Sequence, residues 1–401
     1  MRADNPDLVT VVGIGAGGDL SRTALAALQS SEITFGSDRQ LALLPGSVPG
    51  ERIAWPSPLL PALPGLIDAH RGRAVCVLAS GDPMFHGIGA TLVRLLGADR
   101  VRVLPHPSSA SLAAARMGWP LAEVDVISLV TSPLEVLRRC LNPGRRLLVL
   151  SRDGATPARV AALLVEAGFG SARLTVLGQL GGPAESRVSE TAASWVRSTA
   201  DPLNVIAVEC ADGPATSIVP GLPDEAYETD GQLTKREVRA VTIALLAPTP
   251  GALLWDVGGG SGSIGIEWMR SHPSCRAVTV ESSPSRAVTI RTNAANLGVP
   301  GLRVIEGRAP AALAGLPTPD VVFIGGGLTV DGVLDAALDA LPTGGRLVAN
   351  AVTVESEAAI AAAHAELGGS LTRLTVSRGS PVGGFTGWRT MMPVTIWSVT
   401  K

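Results

Sequence analysis

Trp255-Asp256-Val257-Gly258-Gly259-Gly260-Ser261-Gly262-Ser263-Ile264-Gly265-Ile266-Glu267 passes from an apolar run through a cluster of glycines into an apolar helical pattern. Gly251-Ala252-Leu253-Leu254 lies just ahead of it. A buried parallel strand that turns tightly into a helix has this form, and the turn aims backbone N–H groups at a ligand. Glycine suits the turn because a side chain would hold the ligand off the backbone. Asp256, two positions before the first glycine, is unlike a plain phosphate loop. A carboxylate there repels a pyrophosphate and attracts an amine such as that of S-adenosylmethionine (SAM).

Outward from this turn the pattern repeats. Apolar runs at 253–257, 277–281, 302–305, 320–324 and 345–350 predict five parallel strands separated by helices, with a terminal pair near 371–377 and 393–399. Thr234 is read as the cap of a helix over 235–246, with Glu237 completing a capping box. Strand 277–281 ends in Glu281, where ribose hydroxyls need an acceptor, and Glu306-Gly307-Arg308-Ala309 follows the third strand, where an adenine edge would lie. Gly260-x-Gly262-x-x-Gly265 with Glu281 also satisfies a dinucleotide fingerprint, so an NAD(P) oxidoreductase stays open. Asp256 favours SAM. The loop Ile324-Gly325-Gly326-Gly327-Leu328 either leaves room for a large flat acceptor or forms a tight turn.

Toward the N-terminus, 8–12 reads as a strand and Gly13-Ile14-Gly15-Ala16-Gly17-Gly18 as its turn, with Ser21 capping the next helix. This turn fits the dinucleotide fingerprint only formally, because no strand ending in an acid follows at the expected distance. Strands at 74–79 and 101–104 run into Ser80-Gly81-Asp82-Pro83-Met84-Phe85-His86 and Pro105-His106-Pro107-Ser108-Ser109-Ala110. Repeated strand–turn–helix units indicate an α/β domain with its ligand at the carboxyl ends of the strands. From Trp119-Pro120 the register resets. Four strands (124–130, 146–150, 174–177, 203–208) and helices at 134–140, 156–167 and 191–197 suggest a second half-domain closing over the first. The organisation expected is a first domain over 1–211, a linker over 212–230 and a second domain over 231–401.

Composition narrows the classes. The chain has 401 residues, is 46% hydrophobic and carries a net charge of −2, with no basic patch of the kind nucleic acid requires. Lys235 and Lys401 are its only lysines, which reads as genome-composition bias toward arginine. The four cysteines are scattered, with no nearby His at ligand spacing, so neither a disulfide framework nor a metal site is expected. Asp4-Asn5-Pro6-Asp7 leads straight into a strand without a leader pattern, and no apolar run reaches bilayer length. A cytoplasmic protein without membrane or nucleic-acid partners is expected. His86 and His106 either bind a carboxylate or move a proton, or are held by backbone; His70, His272 and His364 read as surface positions. Arg152, Arg308, Arg378 and Arg389 pair with substrate carboxylates or are solvated. No Ser-His-Asp or Cys-His arrangement is evident, so no catalytic residue is assigned.

The first half resembles the tetrapyrrole methylase family, the class III SAM enzymes. The resemblance rests on residues 11–18, on the specific Ser80-Gly81-Asp82-Pro83-Met84 element and on residues 105–111. It implies two α/β half-domains with SAM folded between them, contacted by Ala16, Ser80, Gly81, Asp82, Phe85, Ser108 and Ser109. The family usually has proline where Ala16 stands and glycine where His106 stands. The second half resembles the decarboxylating corrin methyltransferases, through residues 231–239, the Asp256 turn, Glu306-Gly307-Arg308-Ala309-Pro310 and the tail over 378–389. That resemblance implies a class I Rossmann-like fold in which Thr234, Gly258, Gly259, Gly260, Ser261, Gly262, Glu281 and Ala309 join Asp256 in binding SAM. Together the halves imply a bifunctional enzyme of cobalamin assembly. One SAM per domain would methylate a corrin-ring precursor, with loss of one carboxyl group, in a chain that self-associates. A SAM-binding regulator with one inactive domain is the non-enzyme alternative, motivated by Ala16 and His106.

Overall fold

The computed structural model describes residues 7–401. Asp4, Asn5 and Pro6, read as the approach to the first strand, lie outside the described residues. The chain divides into two compact units, Met1–Leu134 with Asn142–Pro214, and Glu135–Leu141 with Ala215–Lys401.

The first unit opens with β1 (Val9–Ile14), α1 (Arg22–Gln29), β2 (Ile33–Gly36), α2 (Asp38–Ala42), β3 (Glu51–Ala54), α3 (Leu59–Asp68), β4 (Val75–Ser80), α4 (Ile88–Leu96), β5 (Val101–Leu104) and α5 (Ser109–Met117). Their strands form a wholly parallel sheet ordered β3-β2-β4-β1-β5. Ser21 caps α1 as expected, accepting from the Ala24 N–H at 3.1 Å. The sequence reading missed β2 and β3, because four-residue strands carry too little pattern.

A second sheet follows, from β6 (Asp125–Ser128), β7 (Arg146–Leu150), α6 (Thr156–Glu166), β8 (Arg173–Gly178), β9 (Ser186–Thr191) and β10 (Asn204–Glu209). Its order is β6-β7-β10-β8-β9, with only β6 and β7 parallel. The helix expected over 191–197 is replaced by β9 and a single 3-10 turn, Ala192–Ser194; the segment 134–140 is also 3-10. β9 is a polar, largely exposed edge strand, which hides its period.

The second unit contains α7 (Arg236–Leu246), β11 (Leu253–Val257), α8 (Ser263–Ser271), β12 (Arg276–Glu281), α9 (Pro284–Asn296), β13 (Arg303–Glu306), β14 (Val321–Ile324), α10 (Val333–Ala340), β15 (Arg346–Ala351), α11 (Val354–Leu367), β16 (Ser370–Leu374), β17 (Ser377–Val382), β18 (Phe385–Thr390) and β19 (Val394–Thr400). The sheet order is β13-β12-β11-β14-β15-β19-β16, five parallel strands with β19 antiparallel to both neighbours. Between β13 and β14 stands only the 3-10 turn Ala311–Leu313 where a helix was expected. β17 and β18 pair as a separate hairpin. Strand order reverses between β11 and β14, which places a crevice at the carboxyl ends of those strands.

Two local expectations are corrected. Lys235, not Thr234, is the N-cap residue of α7, and no side chain caps it. Glu237 turns outward to Arg378 at 2.6 Å, so no capping box forms. Within 212–230, Leu222 and Tyr227 are buried in the second core. No helix among the described residues is long and apolar enough to cross a membrane.

Candidate functional sites

In the second unit, β11 is buried throughout and ends at Asp256-Val257. The turn needs glycine at specific points. Gly258, Gly260 and Gly262 have φ of +79°, +57° and +79°. A Cβ on Gly259 would stand 2.2 Å from Thr279 Cγ2. The Gly258 and Gly259 N–H groups donate to the Val280 carbonyl. The Gly260 N–H donates to Glu281 Oε2 at 2.8 Å, while the Ser283 N–H takes Oε1 at 2.8 Å. Glu281 thus tensions the turn that its own strand faces.

Asp256 is 1% exposed, and its Oδ2 accepts from Thr279 Oγ1 at 3.1 Å and from the Gly265 N–H at 3.2 Å. Burial pushes its carboxyl up to about 6 against the pull of these two donors. A cavity of about 390 Å³ opens in front of the turn. Thr234, Asp256, Gly258, Gly259 and Gly260 line it; Ser261, Gly262, Glu281 and Ala309 do not. Ser261 and Glu281 act on the wall from behind, Ser261 by donating to the Gln232 carbonyl at 2.6 Å.

Lys235 and Asn350 are among the lining residues that escaped the sequence reading. Lys235 was read as a remnant of composition bias. Asn350 closes the apolar run of β15 as its lone amide, the only signal it offered. Asn350 Nδ2 donates to Thr242 at 2.9 Å, which leaves Oδ1 buried without a partner. An unfilled buried polar group at a cavity wall calls for a ligand or an ordered water.

The first unit holds a second cavity, of about 370 Å³. Three loops meet there with no room for side chains between them. A Cβ on Gly13 would lie 2.3 Å from the Gly81 carbonyl oxygen and 2.7 Å from the His106 nitrogen. Gly81, at φ +64°, donates its N–H to Ile14 at 3.0 Å. Ala16, Ser80, Gly81, Phe85 and Ser109 line the cavity. Asp82 and Ser108 do not; they hold the loops. Asp82 Oδ1 accepts from the Met84 N–H at 2.9 Å, and Ser108 caps α5.

Leu177, Leu203 and Asn204 of the second half wall the same cavity. Ser37, Arg39 and Gln40 line it too and were missed along with β2. Their signal was the Ser37–Gln40 capping box, realised at 2.8 and 3.3 Å. Ser80 Oγ accepts from Arg39 at 2.7 Å and from Gln40 at 3.0 Å, which leaves its own proton to donate.

Both His86 and His106 line this cavity, and His86 sits at φ +57° with its ring 4.8 Å from that of Phe85. Arg152 is spent on the carbonyls of Leu129, Val130 and Ser132, and Arg378 on Glu237 and Asp224. Among the described residues no group of three or more His, Cys, Asp or Glu side chains could hold a metal ion.

Two family models match, Tetrapyrrole (Corrin/Porphyrin) Methylases over residues 8–194 and Precorrin methyltransferase domain over residues 225–401. Over 398 residues the chain is 50% identical to a precorrin-6Y C(5,15)-methyltransferase [decarboxylating] of a Sinorhizobium species, covering 98% of this chain and 96% of that one. The chain belongs to this family.

A relative of the same name from Mycobacterium tuberculosis is 50% identical over 400 residues, covering 98% of this chain and all of its own. The crystal structure of the C-terminal domain of precorrin-6Y C5,15-methyltransferase from Rhodobacter capsulatus is 44% identical, covering 46% of this chain and 100% of that chain, with a TM-score of 0.44. Family membership makes the chain a methyltransferase and sets aside the oxidoreductase and regulator readings. The two α/β architectures expected from the resemblances are the ones found.

Proposed function

We propose that this chain is a bifunctional SAM-dependent methyltransferase that converts precorrin-6Y to precorrin-8X in cobalamin biosynthesis. In this reading a first domain over 1–211 methylates C5. A second domain over 231–401, reached through 212–230, methylates C15 and removes the C12 acetate carboxyl as carbon dioxide. The observation that carries the proposal is the pair of separate cavities, each in front of a glycine turn at the carboxyl ends of a parallel sheet.

Each domain would hold one SAM, whose sulfonium supplies the methyl group. In the second, Asp256 faces the amine of the methionine moiety, Gly258, Gly259 and Gly260 give it backbone, and Thr234 closes the opposite wall. Ser261, Gly262, Glu281 and Ala309 complete the binding from the turn and the neighbouring strand ends. In the first, Ala16, Ser80, Gly81, Phe85 and Ser109 line the place of the cofactor, and Asp82 and Ser108 fix the loops. The acceptor carbons are nucleophilic through the ring's conjugated nitrogens, so the protein's work is to position two reactants and exclude water.

The partner is the small-molecule ring rather than nucleic acid or membrane, and the enzyme works in the cytoplasm as a homo-oligomer. Mass spectrometry of the product from precorrin-6Y and SAM tests the reading. Gain of two methyl groups with loss of one carboxyl group is expected. Asp256→Ala should abolish methylation at C15 and leave SAM binding in the first domain intact. Unchanged turnover at C15 would overturn the assignment of the glycine turn.

A further inference from the structure

Arginine supplies all but two of the 33 basic residues, so lysine persists only at Lys235 and Lys401. Lys401 shows what an ammonium does that a guanidinium does not. Its Nζ donates to the carbonyls of Leu338 at 2.7 Å, Leu341 at 2.8 Å and Asp339 at 3.3 Å, at the end of α10. Three acceptors converge on one point, which suits a compact three-donor group and not a planar fork.

Lys235 is the other exception. It lines the second cavity beside Thr234, the glycine turn and Asp256, and it is the only cationic side chain there. Among the described residues nothing accepts a hydrogen bond from it. A lysine in an arginine-rich chain, at a cavity wall and committed to no structural partner, can give up a proton where arginine cannot.

We propose that Lys235 is the general acid of the second site, delivering the proton that completes decarboxylation. The inference rests on the reading of this domain as the decarboxylating C15 methyltransferase. Loss of carbon dioxide breaks the bond between the acetate methylene and its carboxyl carbon, and the electron pair passes into the conjugated ring. Nζ then gives its proton to that methylene carbon. A methyl group forms, the neutral amine remains, and water returns the proton to it. Asp256 is the other titratable group at the wall. It also lines the cavity, with Oδ2 already taken by the Thr279 hydroxyl and the Gly265 N–H.

The test uses the full chain with precorrin-6Y and SAM, comparing Lys235→Met and Lys235→Arg with wild type by mass spectrometry and carbon dioxide release. Both variants should keep C15 methylation when SAM is saturating, and should methylate C5, the work of the other domain, at the wild-type rate. Both should release carbon dioxide about 10²-fold more slowly or worse, the usual size of a lost general acid. A ring methylated at C15 that keeps its acetate should accumulate. Recovery of carbon dioxide release in Lys235→Arg would overturn the inference, because charge alone would then suffice. So would unchanged release in Lys235→Met, or an equal fall in methylation and release at C15. If wild-type protein methylated the ring but released no carbon dioxide, the decarboxylating reading itself would fall, a result distinct from any of these.

Discussion

Arg239 Nε lies 2.6 Å from Glu267 Oε1, and both side chains are sealed from solvent, at 0% and 2% exposure. Glu267 also accepts from the backbone N–H groups of Gly221 at 2.6 Å and Leu222 at 3.0 Å, and from the Tyr227 hydroxyl at 3.0 Å. Arg239 stacks 4.7 Å over the Tyr227 ring and donates to the carbonyls of Leu222 and Thr234. The pair clips the segment leading into α7, and with it the Thr234 wall of the cavity, onto α7 and α8. Removing one partner of such a pair strands a buried charge and typically costs about 3–5 kcal/mol. Arg239→Ala or Glu267→Ala should lower the denaturant midpoint accordingly. The double replacement Arg239→Met with Glu267→Leu should cost less than either. Additive losses in the double variant would contradict this account.

Asp256 makes the protein free of SAM less stable as pH rises. Its carboxyl is raised by burial from 3.8 to about 6, with Glu281 adding to the rise and Thr279 and Gly265 opposing it. The folded state therefore holds a proton that the unfolded chain releases, so stability falls between about pH 4 and 6 and levels off above. The penalty at neutral pH is on the order of 3 kcal/mol. Asp256→Asn keeps an oxygen for both donors and should melt higher at pH 7, with a flatter pH profile over that window. It should bind SAM more weakly, since the amine loses its counter-charge. Parallel melting curves for the two proteins across pH would sink the argument.

Glycine substitutions should separate the two cavities. Gly259→Ala drives a methyl group into Thr279, and Gly13→Ala drives one into the Gly81 carbonyl. Each should abolish SAM binding in its own unit and spare the other, as calorimetric titration would show by a halved stoichiometry. Gly65 sits within α3 with nothing within 4 Å of its Cβ position. Gly65→Ala should stabilise the chain by roughly 0.4–1 kcal/mol with binding unchanged.

The hairpin of β17 and β18 offers a surface for the proposed self-association. Val382, Phe385 and Trp388 are 60%, 84% and 82% exposed on it, more apolar surface than a free hairpin should show to water. Phe385→Ser with Trp388→Ser should lower the mass measured by sedimentation velocity without lowering the melting temperature of isolated subunits. A mass unchanged by both would remove the hairpin from the proposed self-association.

Much of the architecture was legible in the sequence, and the gaps have physical reasons. β11 and β12 are mostly apolar runs that carry Asp256 and Glu281 at their carboxyl ends, so strand, turn and candidate ligand face were readable together. β2 is only Ile33–Gly36, and without it Ser37, Arg39 and Gln40 could not be brought to the first cavity. β17 contains Pro381 and β18 contains Gly387, which masks the hairpin. Thr234 looked like a cap because threonine and Glu237 have the right spacing. Arg378, 141 residues away, takes the glutamate instead. Asn350 and Lys235 reach the second cavity through tertiary placement that no local period encodes.

The clip around Glu267 also says where the second unit can be cut from the chain. Similarity to the precorrin methyltransferase domain begins at residue 225, beyond Gly221 and Leu222. A fragment starting there would leave Glu267 with Tyr227 and Arg239 but without two of its four donors. One starting at Ala215, where the compact unit resumes, keeps all four. A fragment starting at Ala215 should therefore unfold at higher denaturant than one starting at residue 225.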